Sequence, residues 1–295
     1  MTTTQNYTES DDSSPMEQNL WSARDSVKQG INPKTKKFRF YRFVDNNGLR
    51  DVLGNKRIKA TNLYRSNDPM ECLPAFQTLT EKSEYYRNRR GWDGLQAICL
   101  TTRMSNGNMW ARYADDHKGA CLVFDLDLEP NMAAQIERLG LGYGFFQYPV
   151  KIEEPKIIRP FQKHEVFLFK VLYSEDREKI PQNTFNEDPE GTYSFLYKLL
   201  CKKDNSWEYE NEYRLIYDSS ELFKVHRDYY SYGLFSHLNG IILGFRNRLS
   251  ERKIREKLGG KASSVCICRA AISMDKFLIT ASGYHDTNER GLLSW

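Results

Sequence analysis

The segment WEYENEYRLIY, residues 207–217, sets Glu208, Glu210 and Glu212 at alternate positions, followed by Arg214. Read as a strand, the alternation puts these four side chains on one face. Trp207, Tyr209, Asn211, Tyr213, Leu215 and Tyr217 take the other. Two carboxylates two residues apart on a strand stand roughly 7 Å apart, and each raises the other's pKa unless a cation intervenes. Arg214 and Arg42 are the candidate cations. The pattern also fits a solvated edge strand, or a helix with Glu210 and Arg214 as an i,i+4 pair. The tyrosines and the Leu-Ile-Tyr that follow favour the strand.

Three further clusters embed polar groups among large aromatics. In FRFYRFV, residues 38–44, alternation puts Arg42 on the face of Phe38 and Phe40, with Tyr41 beside it in sequence. An arginine on an apolar face calls for an anionic partner, in a structural ion pair or on a ligand. Asn67-Asp68-Pro69-Met70-Glu71 reads as a turn held by its Asn and Asp side chains, or as a loop presenting Asp68 and Glu71 to a ligand. In MWARYADDHKG, residues 109–119, Trp110, Tyr113 and His117 recur at helical spacing. That face either covers the core or forms a wall on which a planar ring stacks. The run YYRNRRG, residues 85–91, reads as a solvated helix face or a phosphate-touching patch.

These residues need elements to position them. Strands are expected over 38–44, 57–62, 96–103, 120–127, 144–152, 165–173, 207–217, 240–245, 264–272 and 275–281. Helices are expected over 46–56, with Asn46 or Asn47 as cap, over part of 106–119, and over 132–139 and 192–203. A further helix spans 250–258, capped by Ser250 and stopped by Gly259. The lysines ending 192–203 suit the negative end of a helix dipole. Most connections are too short for a doubly wound fold. The expected architecture is α+β: a single domain over 31–295 with a mixed or mainly antiparallel sheet and peripheral helices. Residues 1–30, rich in Thr, Ser, Asp, Asn and Gln, read as a disordered tail.

Composition narrows the classes. The net charge of +4 neither requires nor excludes nucleic acid as a partner. Six cysteines show no CxxC and no histidine at metal-ligand spacing, so no metal site is expected. Cys266 and Cys268 alternate in an apolar run and read as core. No secretory signal and no spanning apolar stretch appears, so a cytoplasmic location and no membrane partner are expected. P-loop, GxGxxG and GxSxG motifs are missing.

Taken in order, the clusters resemble the bacterial domain-of-unknown-function family 2971. The resemblance rests on Tyr41-Arg42, Asn67 to Glu71, Cys99, Met109 to Gly119, Val171 to Tyr173, Trp207 to Arg214, and Ile241 to Gly244. It covers residues 38–280, with Met70 where the family usually has Phe. More distantly, the arrangement is similar to ADP-ribosyltransferase-type domains. That similarity implies an enzyme that consumes NAD, transferring ADP-ribose to a target or cleaving the nicotinamide–ribose bond, in bacterial stress or phage defence. Glu212 would be the catalytic carboxylate, assisted by Glu210. Arg42 would anchor the cofactor, with Tyr41, Asn67, Asp68, Trp110, Tyr113, His117 and Arg214 around it. Two other classes stay open. One is a non-enzymatic binding or sensor module, which predicts a closed Glu210–Arg214–Arg42 salt-bridge network with no cavity. The other is a metal-dependent nuclease using Asp68, Glu71, Glu210 and Glu212.

Overall fold

The computed structural model describes residues 38–88, 94–126, 147–150, 166–180, 189–219 and 222–286. The expected tail over 1–30, the helix over 132–139, and Arg89 and Arg90 of the basic run lie outside them.

A nine-stranded sheet organises the chain. Its strands are β1 (Phe38–Val44), β3 (Leu95–Thr101), β4 (Ala120–Leu126), β5 (Gln147–Val150), β6 (Val166–Lys170), β9 (Glu212–Asp218), β12 (Leu238–Leu243), β13 (Cys266–Ile272) and β14 (Ile279–Ala281). They lie in the order β14-β13-β12-β4-β1-β3-β9-β6-β5. Every neighbour pair is antiparallel except β12 with β13, which are joined by a helix, as a parallel pair requires. The architecture is α+β with a mainly antiparallel sheet. A small sheet packs beside it: β2 (Ile58–Ala60), β10 (Phe223–Val225) and β11 (Asp228–Ser231), in the order β10-β11-β2.

Alternation along the strands sorts side chains onto two faces. Phe40, Ile98, Leu100, Leu122, Phe124, Tyr213, Leu215 and Leu243 pack beneath two helices. These are α1 (Asn46–Asn55), through Leu49, Val52 and Leu53, and α6 (Glu251–Leu258), through Ile254 and Leu258. On the opposite face, Tyr41, Phe43, Cys121, Val123 and Ile242 pack with Met109 and Trp110. Farther along that face, Ala97, Phe169 and Ile216 pack with Phe195, Leu199 and Leu200. The aromatic side of the 207–217 segment enters the core from Tyr213 onward, as alternation predicts. Cys266 is exposed and Cys268 half-buried at the edge of the core, so only the second thiol approaches the expected burial.

Four local expectations are corrected. Asp45, not Asn46 or Asn47, caps α1, its carboxylate accepting from Gly48 N at 2.6 Å. The segment 207–217 is not one strand. A 3-10 turn spans Asn205–Glu210, and Asn211 takes a left-handed conformation with φ 44° and ψ 53°; β9 starts only at Glu212. Asn tolerates that conformation better than most residues, which lets the chain change direction between the two glutamates.

The helix expected over 192–203 ends at Leu200, and Lys202-Lys203 form β8, parallel to β7 (Leu172–Tyr173). The lysines therefore leave the helix end. Finally, the helix carrying Trp110, α3 (Gly107–Tyr113), stops before His117. Asp115, Asp116 and His117 have φ of 49°, 51° and 67°, a left-handed turn that removes His117 from the helical face. Two glycines make room for this turn. A Cβ on Gly119 would lie 2.1 Å from Val44 O, and one on Gly244 would lie 2.0 Å from His117 O.

Candidate functional site

Glu212 and Arg214 sit on one face of β9 because they are two residues apart. Opposite them on β3 stand Thr101 and Cys99, in register with Glu212 and Arg214 respectively. Glu210 reaches the same place from the end of the 3-10 turn, and Lys203 reaches it from β8. Glu71 comes from the Asn67 loop. All five side chains are buried, with Arg214 fully so.

Their contacts form a closed network. Arg214 donates from Nε to Glu212 Oε1 and from Nη2 to Glu212 Oε2, both at 2.8 Å. Nη2 also bonds Glu71 Oε1, and Nη1 bonds the Leu200 carbonyl that ends the preceding helix. Lys203 Nζ lies 2.7 Å from Glu210 Oε2, 3.0 Å from Glu212 Oε2 and 3.9 Å from Glu71 Oε1. The Tyr113 hydroxyl donates to Glu210 Oε1 at 2.5 Å, with Asn67 close by. The Tyr173 hydroxyl accepts from Glu212 N at 2.8 Å.

The electrostatics follow from burial and pairing. Burial alone would raise the Glu212 carboxyl, but Arg214 and Lys203 outweigh it and hold the group well below the carboxylate range. Burial would lower Lys203 and Arg214, yet the surrounding glutamates raise both. Burial, with Glu210 adding to it, raises the Tyr113 phenol. Burial also pushes the Cys201 thiol beside Arg214 up to about 12. The contact group carries three carboxylates and two cations, so one negative charge remains for hydroxyl donors to share.

The expected site residues therefore divide. Glu210, Glu212, Arg214 and Tyr113 come together, with Asn67 at the solvent side. Asp68 folds back, its carboxylate accepting from Met70 N at 2.9 Å, and acts as the turn former that delivers Glu71. Arg42 is elsewhere. Alternation in β1 keeps it on the Phe40 face, where it donates to the carbonyls of Cys99 at 3.1 Å and Lys59 at 2.9 Å rather than to a carboxylate.

Tyr41 and Trp110 are fully buried core residues rather than cofactor-binding walls. The Tyr41 hydroxyl bonds His285 O at 2.6 Å and the Trp110 indole N–H bonds Met104 O at 2.8 Å. His117 stacks near Trp110 and packs 4.6 Å from Phe245, away from the glutamates. Its Nδ1 is buried without a hydrogen-bond partner in the described residues. Burial, with Arg246 nearby, lowers its pKa.

Sequence reasoning missed Lys203 as a site residue. Its only local signal, a lysine pair after an amphipathic helix, is the same signal a helix-end cation makes. Among the described residues no group of three or more His, Cys, Asp or Glu side chains is arranged to hold a metal. Lys203 Nζ occupies the point where the carboxylates converge. No described helix is long and apolar enough to cross a membrane.

No curated protein and no solved structure matches the chain. Residues 109–215, the stretch that carries Tyr113, Tyr173, Lys203, Glu210, Glu212 and Arg214, match the family described as "Protein of unknown function (DUF2971)".

Proposed function

We propose that this chain works as a non-catalytic binding module in which Glu71, Lys203, Glu210, Glu212 and Arg214 lock the fold. One observation carries the reading: both Glu212 oxygens are taken by Arg214, and the second also by Lys203. A carboxylate that stabilises an oxocarbenium-like state needs an oxygen turned toward the sugar. Exposing one here breaks a buried ion pair, which costs about 3–5 kcal/mol. The test is incubation with nicotinamide-labelled NAD and candidate targets. The module reading expects no released label, and expects Glu212→Gln to lower stability. Release that Glu212→Gln abolishes in a folded protein would overturn it.

A second reading keeps the NAD-consuming, ADP-ribosyltransferase-like enzyme. The observation in its favour is that Tyr113 and Glu210 meet at 2.5 Å, with the Tyr113 ring half-buried and Asn67 exposed beside it. NAD would approach from that side, and the Lys203 ammonium would have to leave Glu210. The nuclease reading has less support, because a divalent ion would have to displace Lys203 from among the carboxylates.

A further inference from the structure

A cleft of about 470 Å³ opens between the small sheet and the turn after β2. It lies across the main sheet from the ion lock. Gln96 in its lining alternates with Ala97, whose side shares the Glu212–Arg214 face, while Ile98 and Leu100 face the other core. The strand β2 and the residues after it, held to β3 by a Thr61–Ala97 bridge, bring Lys59 and Arg65 to one wall. The β10–β11 hairpin brings Lys224, His226 and Arg227 to the other.

The charges do not cancel. Asp228 is the one carboxylate in the lining among the described residues, and it pairs with Lys59 at 2.9 Å. Among the described residues Arg65, Lys224 and Arg227 have no carboxylate partner. Lys224 Nζ rests 5.6 Å from the Tyr229 ring centroid. Three positive side chains held around one concavity repel each other unless an anion joins them. The hairpin tip is itself a strained device. Val225 pairs with Asp228 across a two-residue turn, and His226 adopts φ 56° where glycine would be the default. The floor is polar and uncharged, with Gln96 buried and Thr61 and Asn62 beside it.

We propose that this cleft binds a small molecule carrying a diphosphate, of nucleoside-diphosphate size. The volume falls within the roughly 300–1,000 Å³ of small-molecule sites. Three uncompensated cations match the charge of a diphosphate, and the arginine forks at Arg65 and Arg227 suit its oxygens. The assignment rests on the binding-module reading only in supposing that the ligand is held and not consumed.

The experiment is calorimetric titration of the full chain with ADP, pyrophosphate, adenosine and a single-stranded oligonucleotide. ADP and pyrophosphate should bind and adenosine should not. Arg65→Ala and Arg227→Ala should each weaken ADP roughly tenfold, the value of one charge-assisted contact. Their melting curves should match the parent, since both side chains are exposed. ADP and pyrophosphate binding weaker than about 1 mM would overturn the proposal. So would unchanged affinity in both arginine variants, or an oligonucleotide that outcompetes ADP, which would mark a nucleic-acid surface. A parallel titration with NAD separates the two readings. Nicotinamide release would sink the lock reading, whereas failure of pyrophosphate to bind sinks the cleft alone.

Discussion

Lys203 Nζ stands 2.7 Å from Glu210 Oε2 although the two residues belong to different elements, a two-residue strand and the end of a 3-10 turn. This pair closes the ion lock. It ties the largely exposed chain reversal over residues 204–209 to the buried ion network.

Removing Lys203 leaves three carboxylates facing Arg214 alone. Lys203→Met is expected to destabilise the fold by about 3–5 kcal/mol, read from the midpoint of urea unfolding. Adding Glu210→Gln should recover part of that loss, because the uncompensated charge goes with it. A loss under about 1 kcal/mol for the single variant would mean that the pair is effectively solvated.

Glu212 has a depressed pKa, so its contribution is complete above the unfolded value near about 4.3 and is lost as pH falls toward the folded value. Lys203 has a raised pKa, so its contribution is complete below the unfolded value near about 10.4 and is lost as pH rises through the folded value. The lowered His117 pKa removes stability as pH falls below about 6.5, and the raised Cys201 thiol removes it as pH rises above about 8.5. Stability measured by denaturant should therefore be flat only from about pH 7 to about pH 8, with the Glu212 loss lying further to acid and the Lys203 loss further to alkali. Glu212→Gln should flatten the acid limb relative to its own plateau. An unchanged acid limb would assign acid unfolding to other carboxylates.

Trp110 is core, not a stacking wall. Trp110→Phe removes the N–H bonded to Met104 O and should cost about 1–3 kcal/mol. Binding of ADP in the cationic cleft should be the same in the variant at a temperature where both proteins are folded. A selective loss of NAD binding without a drop in stability would return Trp110 to a cofactor site.

Asn211 holds the left-handed joint between Glu210 and Glu212, and its side-chain amide bonds Thr102 Oγ1. Asn211→Ala should lose about 1–2 kcal/mol, from the conformational penalty with the lost bond adding to it. Asn211→Gly, which avoids the penalty, should lose less. Equal losses would show that the Thr102 bond dominates.

Local periodicity in the sequence determined the α+β class, strands β1, β3 and β4, and the α6 helix with its Ser250 cap and Gly259 stop. It also grouped Glu212 with Arg214 on one face of β9. These follow from side-chain spacing within a few residues, which the chain carries wherever it folds. The tertiary structure decided what those side chains meet. Lys203 and a helix-end lysine look alike in sequence, and only the β7–β8 pairing turns Lys203 inward. Arg42 called for a counter-charge and received backbone carbonyls of Cys99 and Lys59 instead, because β1 keeps it across the sheet from Glu212. Trp110 and His117 share a helical spacing, yet a left-handed turn through Asp115, Asp116 and His117, not a helix, sets their rings 6.3 Å apart. The cationic cleft draws Arg65 and Arg227 from segments 162 positions apart. Nothing in either neighbourhood announces the other, since long-range strand pairing alone brings such residues together.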